Sequence, residues 1–226
     1  MGAYFGRTAA RPSASALTVL AGPSTEATGT VLLQGGRRRT WGPRRTLIFF
    51  PGDVQAVSAD AMRRAGNGEW ADAYNLPSTL ARLQTKHGAS RSLAVCAAEL
   101  VDGTYARYSN FCPRCDSCGD VDFYDGSGGA ATNVLVALLD RVLTGEHVEG
   151  WDHDELVFVG FSRGVVVINQ LASELAAADE ASASPEKTVG RLWARVRALH
   201  SVDGGNGPDF DMPACPTPED APRIAA

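Results

Sequence analysis

No stretch of this 226-residue sequence stays apolar long enough to cross a bilayer. Runs such as residues 165–168 stop after four residues, where a spanning helix needs about 20. Acids are nearly missing from the first 46 residues, in which seven arginines face a single Glu26 for a local charge of +6. The whole chain carries −5, so the remainder carries −11 (−5 − 6), which argues against a nucleic-acid-binding face on the main part of the chain. Cysteine is sparse and odd in number, five in all, and no secretory signal opens the sequence. That combination points to reduced thiols in an intracellular compartment rather than to a disulfide framework. Histidine is scarcer still: His87, His147, His153 and His200 are the full set. The length suits one domain around one core, and a hydrophobic fraction of 44% suits a globular chain.

Three regions follow from composition. Residues 1–46 are rich in Arg, Ser, Thr and Ala, the composition of an organellar transit peptide. The same region also reads as a β-hairpin, because Leu17-Thr18-Val19-Leu20 and Thr30-Val31-Leu32-Leu33 are strand-like and flank the turn-former Gly22-Pro23. Leader and hairpin both remain open at this level. Residues 47–207 alternate strand and helix patterns. Residues 208–226 hold five of the twelve prolines and read as an extended tail.

Within 47–207, Leu47-Ile48-Phe49-Phe50 is a buried-strand run stopped by Pro51-Gly52. Leu76, Leu80 and Leu83 recur at helical spacing, with Pro77 in the first turn and Gly88 as the stop. Ser92 to Cys96 reads as a strand, residues 102–129 as an irregular stretch, and Ala131, Val134, Leu135, Leu138, Leu139 and Val142 as a second helix. Leu156-Val157-Phe158-Val159 is a third strand, and Val165, Ile168, Leu171, Ala172 and Leu175 line one helical face after it. Val189, Leu192, Trp193 and Val196 mark another helix, and residues 198–202 a fourth strand. Such alternation predicts βαβ units, a parallel sheet and right-handed crossovers.

Between the third strand and its helix stands Gly160-Phe161-Ser162-Arg163-Gly164. A bare G-x-S-x-G is weak, but strand, sharp turn and helix are the context that the nucleophile elbow of α/β-hydrolases requires. Ser162 is therefore the candidate nucleophile. Two backbone N–H groups must converge on the oxyanion of such a reaction. Arg163, next after the serine, is one candidate; Gly52 and Asp53, in the loop after the first buried strand, provide the other, though Gly52 also reads as an ordinary turn. In this fold the acid follows the nucleophile along the chain and the histidine follows the acid. Asp203, at a strand end before Gly204-Gly205, is the candidate acid, with a turn-initiating Asp as the alternative. No histidine follows it. His200 is three residues upstream on the same strand and so faces the other way, and His153 belongs to the entry loop of the elbow strand. Cys112, Cys115 and Cys118 form a C-x₂-C-x₂-C cluster that needs a fourth ligand for zinc or an iron–sulfur cluster, which Cys96 or an Asp could supply, and loose thiols or an adventitious disulfide are the expectation.

Several segments together resemble the family typified by the human chromosome 2 open reading frame 69 protein, an α/β-hydrolase-like group. They are Phe50-Pro51-Gly52-Asp53-Val54-Gln55, Tyr108-Ser109-Asn110-Phe111, the elbow running on through Val166-Val167-Ile168-Asn169-Gln170-Leu171, and Val202-Asp203-Gly204-Gly205. The resemblance implies Ser162 as nucleophile, Asp203 as acid and a mitochondrial location, with the cytoplasm as the alternative. Members commonly carry His just after Asp-Gly-Gly, where this chain has Asn206, and continue through further strands bearing histidines.

The expectation is an α/β fold of hydrolase type: a mostly parallel sheet with flanking helices, lacking the C-terminal strands. Its function would be that of a serine hydrolase of an ester, thioester or amide, with a small acyl substrate, no cofactor and no metal. A histidine supplied beyond Ala226 would complete the triad, and the chain by itself would be inactive and prone to aggregate. The competing expectations are a non-catalytic hydrolase-fold binding or scaffold protein, and a metal- or redox-responsive protein built on the Cys cluster.

Overall fold

The computed structural model describes residues 14–20, 28–35, 43–143, 150–178, 184 and 186–204. His147, Gly205, Asn206, Cys215 and the proline-rich segment from 208 lie outside the described residues. β1 (Ala14–Leu20) and β2 (Thr28–Gly35) pair antiparallel, Leu17 opposite Val31. β3 (Arg45–Phe50) leads into the short helices α1 (Ala59–Arg64) and α2 (Ala71–Tyr74), then α3 (Leu76–His87) and β4 (Arg91–Val95). A small hairpin, β5 (Glu99–Val101) and β6 (Tyr105–Arg107), precedes α4 (Ala130–Leu143). β7 (Glu155–Phe161), α5 (Val165–Ala177), α6 (Thr188–Trp193) and β8 (Val196–Val202) complete the described chain.

The main sheet has six strands in the order β1-β2-β4-β3-β7-β8. β4, β3, β7 and β8 are parallel, and β2 joins β4 antiparallel. Pleating sorts successive side chains to opposite faces. Ile48, Phe50, Leu93, Val95, Leu156 and Phe158 enter one core, under α4, α5 and α6. Leu47, Phe49, Ala94, Val157 and Val159 enter the other, under α3. Burial on both faces explains why these strands read as continuous apolar runs rather than as alternating ones.

α3 starts where Asn75 accepts a hydrogen bond from Ser78 N–H at 3.0 Å and stops at Gly88 in a left-handed conformation, φ +61°. α4 has a less local cap. Buried Glu174, on α5, accepts from Ala131 and Thr132 N–H at 2.8 Å each, putting a carboxylate on the positive end of α4. Gln170, one turn earlier, donates to Glu174 at 3.1 Å and to the Asp125 carbonyl at 2.6 Å. At the entrance edge of the sheet, buried Asp154 accepts from Thr46, Arg44 and Arg91, tying β3, β4 and β7 together.

Two readings shift. Val196, assigned by spacing to a helical face, opens β8. The irregular stretch contains β6, and α1, α2 and β5 are elements without a periodic apolar face.

Candidate active site

Chain direction alone locates a crevice. The connection leaving β3 passes over the α3 face, whereas those through α4 and α5 pass over the other face. Loops that leave adjacent parallel strands in opposite directions part between β3 and β7, and ligands of open α/β sheets bind at such a switch point. The residues at these two strand ends are Gly52-Asp53 and Ser162.

Ser162 has φ +49°, in the left-handed region that an L-residue occupies at a cost, and it opens a single 3₁₀ turn (Ser162–Gly164) between β7 and α5. The surroundings fit so closely that side chains are excluded. A Cβ on Gly160 would stand 2.8 Å from Ile168 Cγ1, and one on Gly164 would overlap the Phe50 carbonyl oxygen. A Cβ on Gly52 would stand 2.8 Å from Ser162 Cβ, so the β3 loop runs directly beside the serine.

The β3 loop is held at every residue. Phe50 is packed edge-on by Tyr108, Phe111 and Phe158, at centroid distances of 6.5, 5.8 and 6.4 Å. Tyr108, whose phenol burial pushes well above its ordinary pKa, donates its hydroxyl to the Pro51 carbonyl at 2.7 Å. Asp53 Oδ1 accepts from Ala106 N–H at 2.6 Å, and Val54 takes φ +57° while donating to the Thr104 carbonyl. Gln55 folds back, its Oε1 accepting from Gly52 N–H at 3.1 Å. An acceptor oxygen thus already sits on one of the proposed oxyanion donors. Segments 50–55 and 108–111 are two halves of one packing unit.

Arg163 is buried to within 5% of full exclusion. Its guanidinium pairs with Asp120 of the cysteine loop and stands 3.9 Å from Asp53 Oδ1. Nε makes no hydrogen bond among the described residues. The side chain therefore bridges the elbow, the β3 loop and the cysteine loop, while its backbone follows Ser162.

Asp203 follows Val202, which is paired with Phe161, so Asp203 and Ser162 leave neighbouring strands at the same level. Its φ is +56°, and a Cβ on the next residue, Gly204, would stand 2.9 Å from Val165. The described histidines are elsewhere. His153 is exposed before β7, separated from Ser162 by the length of that strand, about 20 Å. His87 closes α3 and its carbonyl accepts from Arg45 at the start of β3, at the entrance edge. His200, across from Val159 on the α3 face, has its ring 4.7 Å from that of His87. Burial first, then His200, lowers the His87 pKa.

Cys112 is buried against the Val166 carbonyl, its thiol pushed up by burial; Cys115 is half-buried and Cys118 exposed. No group of metal-ligating side chains forms among the described residues. Asp116 organises the loop instead, accepting from Cys118 and Asp120 N–H at 2.8 and 2.9 Å.

Gln55, Tyr108, Asp120 and Glu174 have structural roles that spacing alone did not assign. Gln55 is the accessible one, since an amide three residues after a loop glycine can fold back on it.

The C2orf69 family model matches residues 128–212. No curated protein matches the sequence. Among solved structures, the chain is similar to a hypothetical protein from Pseudomonas aeruginosa, with 10% identity, coverage of 85% of this chain and 43% of that one, and a TM-score of 0.41. It is similar to a dienelactone hydrolase-like promiscuous phosphotriesterase from metagenomic libraries, with 18% identity, 93% and 65% coverage, and a TM-score of 0.39. The third is a peroxisomal alpha-beta-hydrolase from Saccharomyces cerevisiae, with 10% identity, 74% and 41% coverage, and a TM-score of 0.39. The chain spans between 41% and 65% of the length of these three. With a parallel sheet, a strained serine between strand and helix and a glycine-lined β3 loop beside it, the chain has the α/β-hydrolase fold, and over residues 128–212 it is similar to the C2orf69 family.

Proposed function

We propose that the protein is a serine hydrolase of an ester, thioester or amide, with Ser162 attacking the acyl carbon. The observation that carries this reading is the elbow: Ser162 at φ +49°, pressed against Gly52, at the switch point of the sheet. Ser162 Oγ would add to the carbonyl as its proton passes to an imidazole, the negative charge falling on the carbonyl oxygen beside the backbone of Arg163 and of Gly52 and Asp53. Collapse would expel the alcohol, thiol or amine, which takes that proton, and leave an acyl-serine for water to hydrolyse. Binding of that oxygen would displace Gln55 Oε1 from Gly52 N–H. Asp203, one strand over, would orient an imidazole.

A fluorophosphonate probe reads Ser162 directly. Wild type should form the serine adduct and Ser162→Ala should not, with peptide mapping locating the label in residues 155–164. Equal labelling of both proteins would remove Ser162 from the reaction.

A second reading, a binding protein that keeps the elbow as architecture, is favoured by one observation: His87, His153 and His200 all sit away from Ser162. Under it the probe leaves wild type unlabelled.

A further inference from the structure

Between the C-terminal ends of β3 and β4 lies a cleft of about 410 Å³, lined by Pro51, Gly52, Leu76, Cys96, Leu100 and Tyr108 among others. The polar side chains along it are already engaged within the protein. The Gln55 carboxamide bonds Gly52 N–H and the Tyr74 carbonyl. Ser58 caps α1 through Ala61 N–H, Glu99 pairs with Arg107 at 2.7 Å, and the Tyr108 hydroxyl donates to Pro51. Cys96, its thiol pushed up to about 12 by burial, stays protonated and presents a small soft surface rather than a nucleophile. What remains for an occupant is carbon. The mouth is apolar too: Val57 and Leu100 are 39% and 51% exposed there.

Gly52 belongs both to this cleft and to the wall of the nucleophile, its backbone packed on Ser162 Cβ. We propose that the cleft holds the apolar chain of an acyl substrate, making the preferred substrates medium-chain fatty acyl compounds. Calling that chain the acyl arm rests on Ser162 being the nucleophile; its binding does not. At roughly 30 Å³ for a water-sized group, the space admits up to about a dozen methylenes. A short polar acyl group would leave that apolar surface wet.

The test separates the two claims by measuring binding in the Ser162→Ala protein, where no turnover occurs. Fatty acids from butanoate to dodecanoate are titrated by calorimetry. Affinity should rise by up to about fourfold per added CH₂ until the cleft is filled, then level. Ala98→Trp and Ala61→Trp, which project bulk into the cleft from β5's approach and from α1, should each weaken octanoate at least tenfold. Circular dichroism and thermal midpoints identify a variant that has failed to fold, and the other then decides. Affinity indifferent to chain length, or octanoate binding unchanged in both folded variants, overturns the proposal. Chain-dependent binding without fluorophosphonate labelling of wild type keeps the cleft and discards the nucleophile; labelling without chain dependence does the reverse.

Discussion

Ser162 pays conformational energy that its neighbours enforce. A left-handed φ costs a non-glycine residue about 1 kcal/mol, and at this turn three glycines leave the serine nowhere else to go. The strain can be measured. Ser162→Gly should be more stable than Ser162→Ala by about 1 kcal/mol in urea unfolding, although both lack the hydroxyl. If the alanine variant is equal or better, the turn is not strained. Gly164→Ala makes the complementary point. Its methyl would overlap the Phe50 carbonyl, so either the β3 loop or α5 must shift. A loss of about 3 kcal/mol is expected, in the upper range for overpacking. A change below 0.5 kcal/mol would show that β3 and α5 are not in contact there.

At the scale of elements, much was legible in the sequence. α3, α4 and α5 are long enough for spacing to show, and the caps of α3 at Asn75 and Gly88 are local signals. α1 and α2 hide because each has one buried side chain, Met62 or Ala71, which forms no period. The β5–β6 hairpin hides for a similar reason: Leu100 and Tyr105 are exposed, so no apolar face marks it. Val196 fits both a helix that is ending and a strand that is beginning. Ser162, Gly52 and Arg163 were readable as a motif, but the pairing of Arg163 with Asp120 joins residues 43 apart and leaves no pattern along the chain. The cap of α4 is of that second kind, since its carboxylate comes from α5. Glu174→Ala should strand two buried N–H groups and cost about 2 to 3 kcal/mol, with Glu174→Gln recovering part of it. Chemical denaturation of the two variants measures this. Equal stability of Glu174→Ala and wild type would mean that water satisfies the α4 terminus.

At the scale of the whole molecule, the described residues gather around Ser162 a proposed binding apparatus but no imidazole. The elbow, the pinned β3 loop and the apolar cleft converge on Ser162, whereas the described histidines lie at the entrance edge or on the α3 face. A positioned general base contributes about 10²- to 10⁴-fold. The 226-residue chain should therefore react slowly with fluorophosphonate and turn over p-nitrophenyl octanoate poorly. Dissolved imidazole should compensate in part, because the strained turn and the proposed oxyanion donors do not depend on the base. With imidazole at about 100 mM, inactivation of wild type should accelerate severalfold, while Ser162→Ala stays unlabelled and Asp203→Asn gains less. The Asp203 variant is informative because a diffusing imidazole beside Ser162 could still accept orientation from a carboxylate at the end of β8. Rapid turnover without imidazole, abolished by His87→Ala, His147→Ala, His153→Ala or His200→Ala, would instead show that the chain supplies its own base, and identify which histidine it is. Imidazole acceleration that is identical in wild type and Ser162→Ala would be reaction in bulk solvent and would leave the elbow without a catalytic part.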